Sequence, residues 1–189
     1  RCTVTGGTRP FNLGASTTSP DTWINNSVVN SGGTQNFLLN TASILYLLNT
    51  TEGADGETTN FTFSDADSMV LKMWWVNVTV TDGTNPINGA FVNISSDAQE
   101  FFNSSSGTNG TTDANGVVHL AVVARNFTQA AVGPASYSDY IIRVNATGYE
   151  SDNSNSGITF TGNANYEISL STQAGSTSTT QVNITLNGI

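Results

Sequence analysis

Apolar and polar residues alternate with a period of two over most of the chain from about residue 69 onwards. Val76, Val78 and Val80 share one face of a predicted strand, and residues 90–94 form the strand that returns after a turn. The same alternation marks further strands at 117–124, 140–146, 158–160 and 166–170. Because successive side chains of a strand point to opposite faces, each segment can bury one face. Short strands separated by turn clusters predict an all-β fold, specifically a β-sandwich.

The first 68 residues have a less regular pattern. Residues 37–48 fit a short helix, with Leu38, Ala42, Leu45 and Leu48 on one face, and they fit a buried strand equally well. Residues 60–64 alternate and indicate a strand. We expect 1–68 to supply additional N-terminal strands and loops that pack on the sandwich, rather than a second domain.

Three motifs carry a resemblance to a known family. They are TDGTNPINGAFV at 81–92, TDANG at 112–116 and IRVNATGY at 142–149. Together they resemble the carboxypeptidase-regulatory-like branch of immunoglobulin-like domains, over about 69–172. The resemblance implies an immunoglobulin-like β-sandwich of the kind found in secreted surface proteins, archaeal ones in particular, where these modules are mostly non-catalytic.

The scarcity of charge restricts the classes of partner. Only 10% of the residues are charged, the net charge is −9, and Lys and Arg number five. Five scattered cations cannot form a phosphate-binding stripe, so nucleic acid is nearly excluded as a partner, and the same shortage argues against a polybasic patch for anionic lipid. Thr, Ser and Asn supply 72 of the 189 residues. This neutral polar surface predicts an extracellular or cell-surface protein, without membrane insertion, present as a mature form or a fragment of a longer one.

The sequence contains ten N-x-S/T sequons, a modest excess over chance. Several fall in strand segments with the asparagine opposite the apolar face, where a glycan can attach. We predict a glycoprotein with no cofactor beyond covalent N-glycans; the alternative is ordinary polar outer strand faces. The candidate glycosylation sites are Asn25, Asn49, Asn60, Asn77, Asn93, Asn103, Asn109, Asn126, Asn145 and Asn183.

The side chains most suited to catalysis or metal binding are isolated from one another. His119 is the only histidine and lies in a strand, and Cys2 is the only cysteine. No nucleophilic triad or zinc site can be assembled from them, and the role of Cys2 stays open among a free thiol, a bridge to another subunit and an inert residue. Asp65 and Asp67 are expected in a turn rather than as a glycosidase pair. We therefore predict that the protein is not an enzyme.

Two further segments suggest binding. Residues 152–157 have oxygen ligands at calcium-loop positions 1, 3 and 5 and Gly157 at position 6, but Asn163 replaces the glutamate expected at position 12, so calcium is a weak candidate. Trp23, Trp74 and Trp75 are candidates for stacking on sugar rings.

The C-terminal segment 173–189 combines a Ser/Thr-rich linker with a terminal strand. Val182, Ile184 and Leu186 line one face of that strand, and Ile189 ends the chain. The apolar face must be buried, either on its own sheet or by insertion into a neighbouring subunit. Insertion would join copies head to tail into a homopolymer.

These observations lead to two expectations about function. The first is a structural subunit of an extracellular, glycosylated surface filament, pilus-like or thread-like, polymerised by donation of the terminal strand; in kind it resembles archaeal surface threads. In such fibres the donor is often the N-terminal strand, but residues 2–5 are the shorter candidate here. The second expectation is an adhesin or carbohydrate-binding module of a larger cell-surface or S-layer protein, with a glycan or surface contact as its partner.

Overall fold

The computed structural model describes residues 3–5, 11–13, 21–30, 37–40, 42–52, 61–96, 108–130, 135–137 and 139–174. These residues are all-β and contain no helix, which confirms the predicted fold class. The strands are β1 (Thr3–Thr5), β2 (Phe11–Leu13), β3 (Asp21–Asn25), β4 (Val28–Asn30), β5 (Phe37–Leu39), β6 (Ile44–Leu48), β7 (Thr51–Glu52), β8 (Phe61–Phe63), β9 (Met69–Thr81), β10 (Phe91–Ser96), β11 (Thr108–Thr111), β12 (Val117–Thr128), β13 (Ala135–Ser136), β14 (Tyr140–Asn145), β15 (Asp152–Ile158) and β16 (Ala164–Ser169).

The first nine strands wind into three coils of parallel strands. Each strand pairs with the one three places later: β1 with β4 and β4 with β7, β2 with β5 and β5 with β8, β3 with β6 and β6 with β9. The result is a short three-sided stack of the β-helix type, in which each coil buries its apolar residues against the next. The segment 37–48, open between helix and strand from its sequence, forms strands β5 and β6.

Two asparagines shape one corner of this stack. Asn26 and Asn49 have positive φ angles of 49° and 47°, a left-handed conformation that asparagine tolerates better than most residues. The Asn49 side-chain amide donates to Asn26 Oδ1 at 2.6 Å, and its own Oδ1 accepts from Asn163 Nδ2 at 3.0 Å. The corners of successive coils are therefore held in register by an asparagine ladder that extends to a residue late in the chain.

Strand β9 joins the coil stack to the sandwich. One of its edges pairs in parallel with β6 over 69–73 and then with β16 over 76–81, while β12 runs antiparallel along the other edge. Asn163 bridges the change of partner, because its Oδ1 accepts from the Trp75 backbone N–H at 3.0 Å. On one face of the same strand, Val70 lies in the core of the coils and Val76 in the core of the sandwich.

The second layer of the sandwich is a four-stranded sheet in the order β11-β10-β14-β15. Its inward residues, including Val92, Ile94, Ile142 and Val144, are buried against the inward residues of β9 and β12. The Tyr140 hydroxyl crosses between the layers and donates to the Val123 carbonyl. Burial, with a smaller contribution from nearby Tyr137, raises the pKa of Tyr140, so the phenol remains a hydrogen-bond donor.

The first two family-like motifs meet at one end of the sandwich. The Thr112 hydroxyl is buried, donates to the Ile87 carbonyl at 2.6 Å and accepts from the Ala90 N–H at 2.9 Å. Gly116 has a φ of +72°, and a Cβ there would lie 2.5 Å from the Val80 carbonyl oxygen. Residues 81–92 and 112–116 thus form one interlocked pair of turns, with no space for a side chain at Gly116.

We predict that Thr112→Val lowers the free energy of unfolding by about 1–3 kcal/mol, because valine has a similar shape but leaves the Ile87 carbonyl and the Ala90 N–H unpaired. Denaturant unfolding measures the loss. Thr112→Ser retains the hydroxyl and should keep most of the stability. Equal stability of the serine and valine variants would show that the hydroxyl bridge contributes nothing.

Candidate functional site

β3, one of the three strands of the first coil, exposes a large aromatic side chain. Among the described residues β3 pairs only with β6. Trp23 is 55% exposed and stacks on Tyr46 of β6, with ring centroids 4.1 Å apart and planes 4° from parallel. We call this unpaired side of β3 the β3 edge. It presents both backbone hydrogen-bonding groups and an aromatic ring to whatever approaches.

The inward residues next to the β3 edge continue the apolar core of the coils. Ile24 is half-buried and packs against a cluster that includes Leu45 and Leu47, both 0% exposed. A further strand placed beside β3 would add its own apolar face to this cluster. The β3 edge therefore offers side-chain burial as well as backbone pairing.

The outer face of the four-stranded sheet carries a groove of about 380 Å³, which we call the Phe91 groove. Phe91 is 45% exposed and shares its side of β10 with Asn93. In the pairing of β10 with β14, Phe91 lies opposite Asn145. Arg143 lies opposite Asn93 and donates to Ser95 Oγ at 2.5 Å. The groove is lined by Phe91, Asn93, Asn109, Arg143, Val144, Asn145, Ser151 and Asn153.

The outer face of the other sheet carries a second groove of about 440 Å³, the Trp75 groove, lined by Trp75, Asn77, His119, Asn163 and Asn165. His119, Asn77 and Asn165 lie in one cross-strand row. Asn77 Nδ2 donates to Asn165 Oδ1 at 2.8 Å, and Asn77 Oδ1 lies 2.6 Å from His119 Nδ1. Since Oδ1 only accepts, Nδ1 carries the hydrogen and Nε2 is left for solvent or a ligand.

Six of the seven described sequons place their asparagine at the surface. Asn25, Asn109 and Asn145 are exposed, and Asn49, Asn77 and Asn93 are half-buried. Asn126 is only 7% exposed, so a glycan there would require β12 to move. Asn49 is also restricted, because both ends of its amide belong to the asparagine ladder.

Several predicted sites fall outside the described residues. They are Cys2, the sequons Asn60, Asn103 and Asn183, and the terminal-strand residues Val182, Ile184, Leu186 and Ile189.

The segment considered for calcium is a strand and not a loop. Residues Asp152–Ile158 form β15 and pair irregularly with β14. The Asp152 carboxylate accepts from the Ser154 backbone N–H at 2.8 Å and from Asn155 Nδ2 at 2.9 Å. Calcium binding by this segment stays a prediction.

The remaining candidates for chemistry lie apart from one another. Asp65 Oδ1 accepts from the Asp67 N–H at 2.8 Å, in the turn predicted for this pair. His119 is exposed on β12, as its sequence position suggests. Across the described residues there is no group of three or more His, Cys, Asp or Glu side chains that could hold a metal ion.

Comparison with known proteins does not assign the chain to a family. No protein-family profile and no curated protein matches the chain. Among solved structures, catechol 1,2 dioxygenase of Acinetobacter radioresistens matches in wild-type and point-mutant form, each with a TM-score of 0.37 and 14% sequence identity. These matches cover 55% of this chain and 53% of the dioxygenase chain, so the chain spans about half the length of the structures it matches. The resemblance to carboxypeptidase-regulatory-like domains stays a prediction.

The part of the chain that the structure describes contains no helix of the length and apolarity needed to cross a membrane.

Two turn carboxylates of the sandwich accept hydrogen bonds from backbone N–H groups. Asp113 Oδ1 accepts from the backbone N–H groups of Val117 and Asn115, both at 2.9 Å. These hydrogen bonds, above all the one from Val117, lower the pKa of Asp113. Asp82 is similar, because N–H groups of Asn85 and Thr84 lower its pKa.

Because the folded pKa of Asp113 lies below its unfolded value, the carboxylate stabilises the fold above about pH 4 and loses this effect as the pH falls through the folded pKa. We predict that Asp113→Asn lowers Tm at neutral pH, and that the difference from wild type disappears as the pH falls through the folded pKa of Asp113. Thermal unfolding across this range measures it. A Tm difference that stays constant with pH would assign the loss to a cause other than the charge.

Proposed function

We propose that the protein is a structural subunit of an extracellular, glycosylated surface filament, in which each subunit donates a β-strand to the next. The single observation that supports this most is the β3 edge, where a strand with an exposed tryptophan ends a parallel stack among the described residues. Copies joined by a contact between two different surfaces extend into a filament unless they close into a ring.

The composition of the two edges of the four-stranded sheet favours β3 over them as the acceptor. The outer strands of the four-stranded sheet, β11 and β15, have the sequences TNGT and DNSNSGI. Short polar edges and irregular pairing discourage the addition of further strands. The sequence of β3 is DTWIN, with Trp23 outward and Ile24 toward the coil core. Of these three edges, only β3 offers apolar contact beside its backbone groups.

The donor in this proposal is the C-terminal segment of a neighbouring subunit. Val182, Ile184 and Leu186 would continue the inward apolar row formed by Ile24 and Leu47, while Asn183 and Thr185 would face water. The Ser/Thr-rich segment before them supplies the length needed to reach a second molecule. Main-chain hydrogen bonds would give affinity, and the apolar row would set the register.

The proposed extracellular location agrees with the chemistry of the protein surface. Exposed or half-buried sequon asparagines on the outer faces of both layers fit a glycosylated extracellular surface. The dispersed His119 and Asp residues fit a role without catalysis. Only 10% of the residues are charged, so few ionised side chains would have to be desolvated where copies meet, whereas the net charge of −9 opposes close packing of copies.

Electron microscopy and light scattering of the purified protein test the proposal. We expect filaments that are lost when residues 181–189 are deleted and when Trp23→Lys places a charge at the β3 edge. Ser156→Lys, at the exposed polar strand β15, is the matched control and should leave assembly intact. Circular dichroism verifies that each variant is folded.

A peptide with the sequence of residues 181–189 should block elongation when added in excess, whereas the same peptide with Ile184→Asp should not. Filaments that survive the deletion would reject residues 181–189 as the donor; residues 3–5, at the other terminus, already pair with β4 of their own chain. A monodisperse species of about the 19.8 kDa chain mass would reject strand donation altogether.

The alternative function is a carbohydrate-binding module, and the Trp75 groove favours it. Trp75 is half-buried beside three asparagines and His119, a combination of an apolar ring and polar groups that suits a sugar. In that case Trp75→Ala should weaken binding of neutral oligosaccharides by about tenfold or more, measured by calorimetry. Trp23→Ala is the comparison, because Trp23 lies on β3 and does not line the Trp75 groove. Unchanged binding in both variants would reject this function.

A further inference from the structure

Aromatic residues recur at one position relative to the sequons. Four of the ten sequon asparagines have an aromatic residue two places earlier, namely Trp23, Trp75, Phe91 and Phe101. Aromatic residues make up 9% of the chain, so chance places about one of them there. The excess matters because residues i and i+2 of a strand share a face.

The structure places two of these pairs in the two grooves. Phe91 and Asn93 both line the Phe91 groove, and the residues beside Asn93, Val92 and Ile94, are 0% and 1% exposed on the opposite face. Trp75 and Asn77 both line the Trp75 groove, with Val76 and Val78 buried at 0% on the opposite face. Each groove thus contains an aromatic ring on the solvent side next to a possible attachment point.

The exposed aromatic side chains of the described residues coincide with sequons. Trp23 and Phe91 are the exposed large hydrophobic side chains of the described residues, and each precedes a sequon asparagine by two positions. The Trp23 ring already stacks on Tyr46, whereas Phe91 stacks on no other ring among the described residues. Phe91 is therefore the clearer case of a ring whose apolar face is left for another group.

We propose that Phe91 and Trp75 are packing platforms for the first sugars attached to Asn93 and Asn77. In the attachment, Nδ2 forms a bond to the anomeric carbon of a diphosphate-activated sugar, the carbon–oxygen bond to the diphosphate breaks, and the diphosphate leaves with the proton. The C–H face of the attached ring then covers the aromatic face, where the polarised hydrogens meet the negative π surface. This inference rests on the glycosylation included in the proposed function.

The hydrogen bonds of Asn77 are compatible with attachment. The sugar replaces one of the two Nδ2 hydrogens, so the remaining N–H can still donate to Asn165 Oδ1, and Asn77 Oδ1 still accepts from His119. The grooves, at about 380 and 440 Å³, lie within the usual range of small-ligand sites.

The test uses the full chain produced in a host that N-glycosylates. Mass spectrometry of sequon peptides should find sugar on Asn77 and Asn93 and none on the buried Asn126. Unmodified Asn77 and Asn93 would overturn the inference.

A double-mutant cycle then measures the contact. Phe91→Leu keeps an apolar side chain but removes the aromatic face. We expect it to lower Tm by about 2–4 °C more when Asn93 is present than in the Asn93→Gln background. Phe91→Tyr retains the ring and should retain the coupling between positions 91 and 93. This second variant keeps the test valid if Phe91→Leu fails to fold.

The crossed pair is the control. Phe91 and Asn77 lie on the outer faces of opposite layers, so Phe91→Leu should have the same effect with Asn77 and with Asn77→Gln. Additive effects for Phe91 and Asn93, with Asn93 occupied, would overturn the inference. Filament assembly is measured on the same samples. Filaments without coupling between Phe91 and Asn93 would reject only the packing platforms. Coupling without filaments would reject only the strand-donation proposal.

Discussion

The architecture depends on the hydrogen bonding of one strand. β9 is 13 residues long, and over most of its length both of its edges are paired. Its first part closes the third coil of the parallel stack and its second part is a central strand of the sandwich. Since a buried backbone group without a partner is costly, β6 and β16 have to follow one another along the same edge. Asn163 lies where they meet and satisfies the Trp75 N–H between them.

This arrangement couples two kinds of repetition. The coils repeat a corner in which an asparagine adopts a left-handed conformation and bonds to its equivalent in the next coil. The sandwich repeats antiparallel pairing, held at one end by the contact of two turns around Thr112 and Gly116. Asn163 belongs to the sandwich, and its side chain donates a hydrogen bond to Asn49 of the coils. This bond links the two parts of the fold.

The surface divides into edges and outer faces with different chemistry. The edge strands β11 and β15 are polar, whereas β3 carries Trp23 at the end of the stack. The outer faces of both layers carry asparagines with an aromatic ring beside them, at Phe91 and at Trp75. Asn77 and Asn93 lie on outer faces away from the β3 edge, whereas the exposed sequon Asn25 lies on β3 itself, so a glycan there would share that surface with assembly.

The sequence by itself determined β9, β10, β12, β14 and β16 and the outward direction of Asn77, Asn93 and Asn145, because a period of two is a local property of extended backbone. It did not mark β11, β13 or β15, and the strand predicted at 158–160 was wrong, since β15 covers Asp152–Ile158. It also placed Asp82 and Asp113 in turns, within the motifs at 81–92 and 112–116. Only the tertiary structure decided that residues 37–48 are strands in a parallel stack and that 152–157 pair with β14 instead of forming a loop. Parallel pairing joins residues more than twenty positions apart, such as Leu45 and Val70, and no local pattern contains that information. The meeting of Asn49 with Asn163, and of each aromatic ring with its groove, likewise arises from contacts between distant parts of the chain.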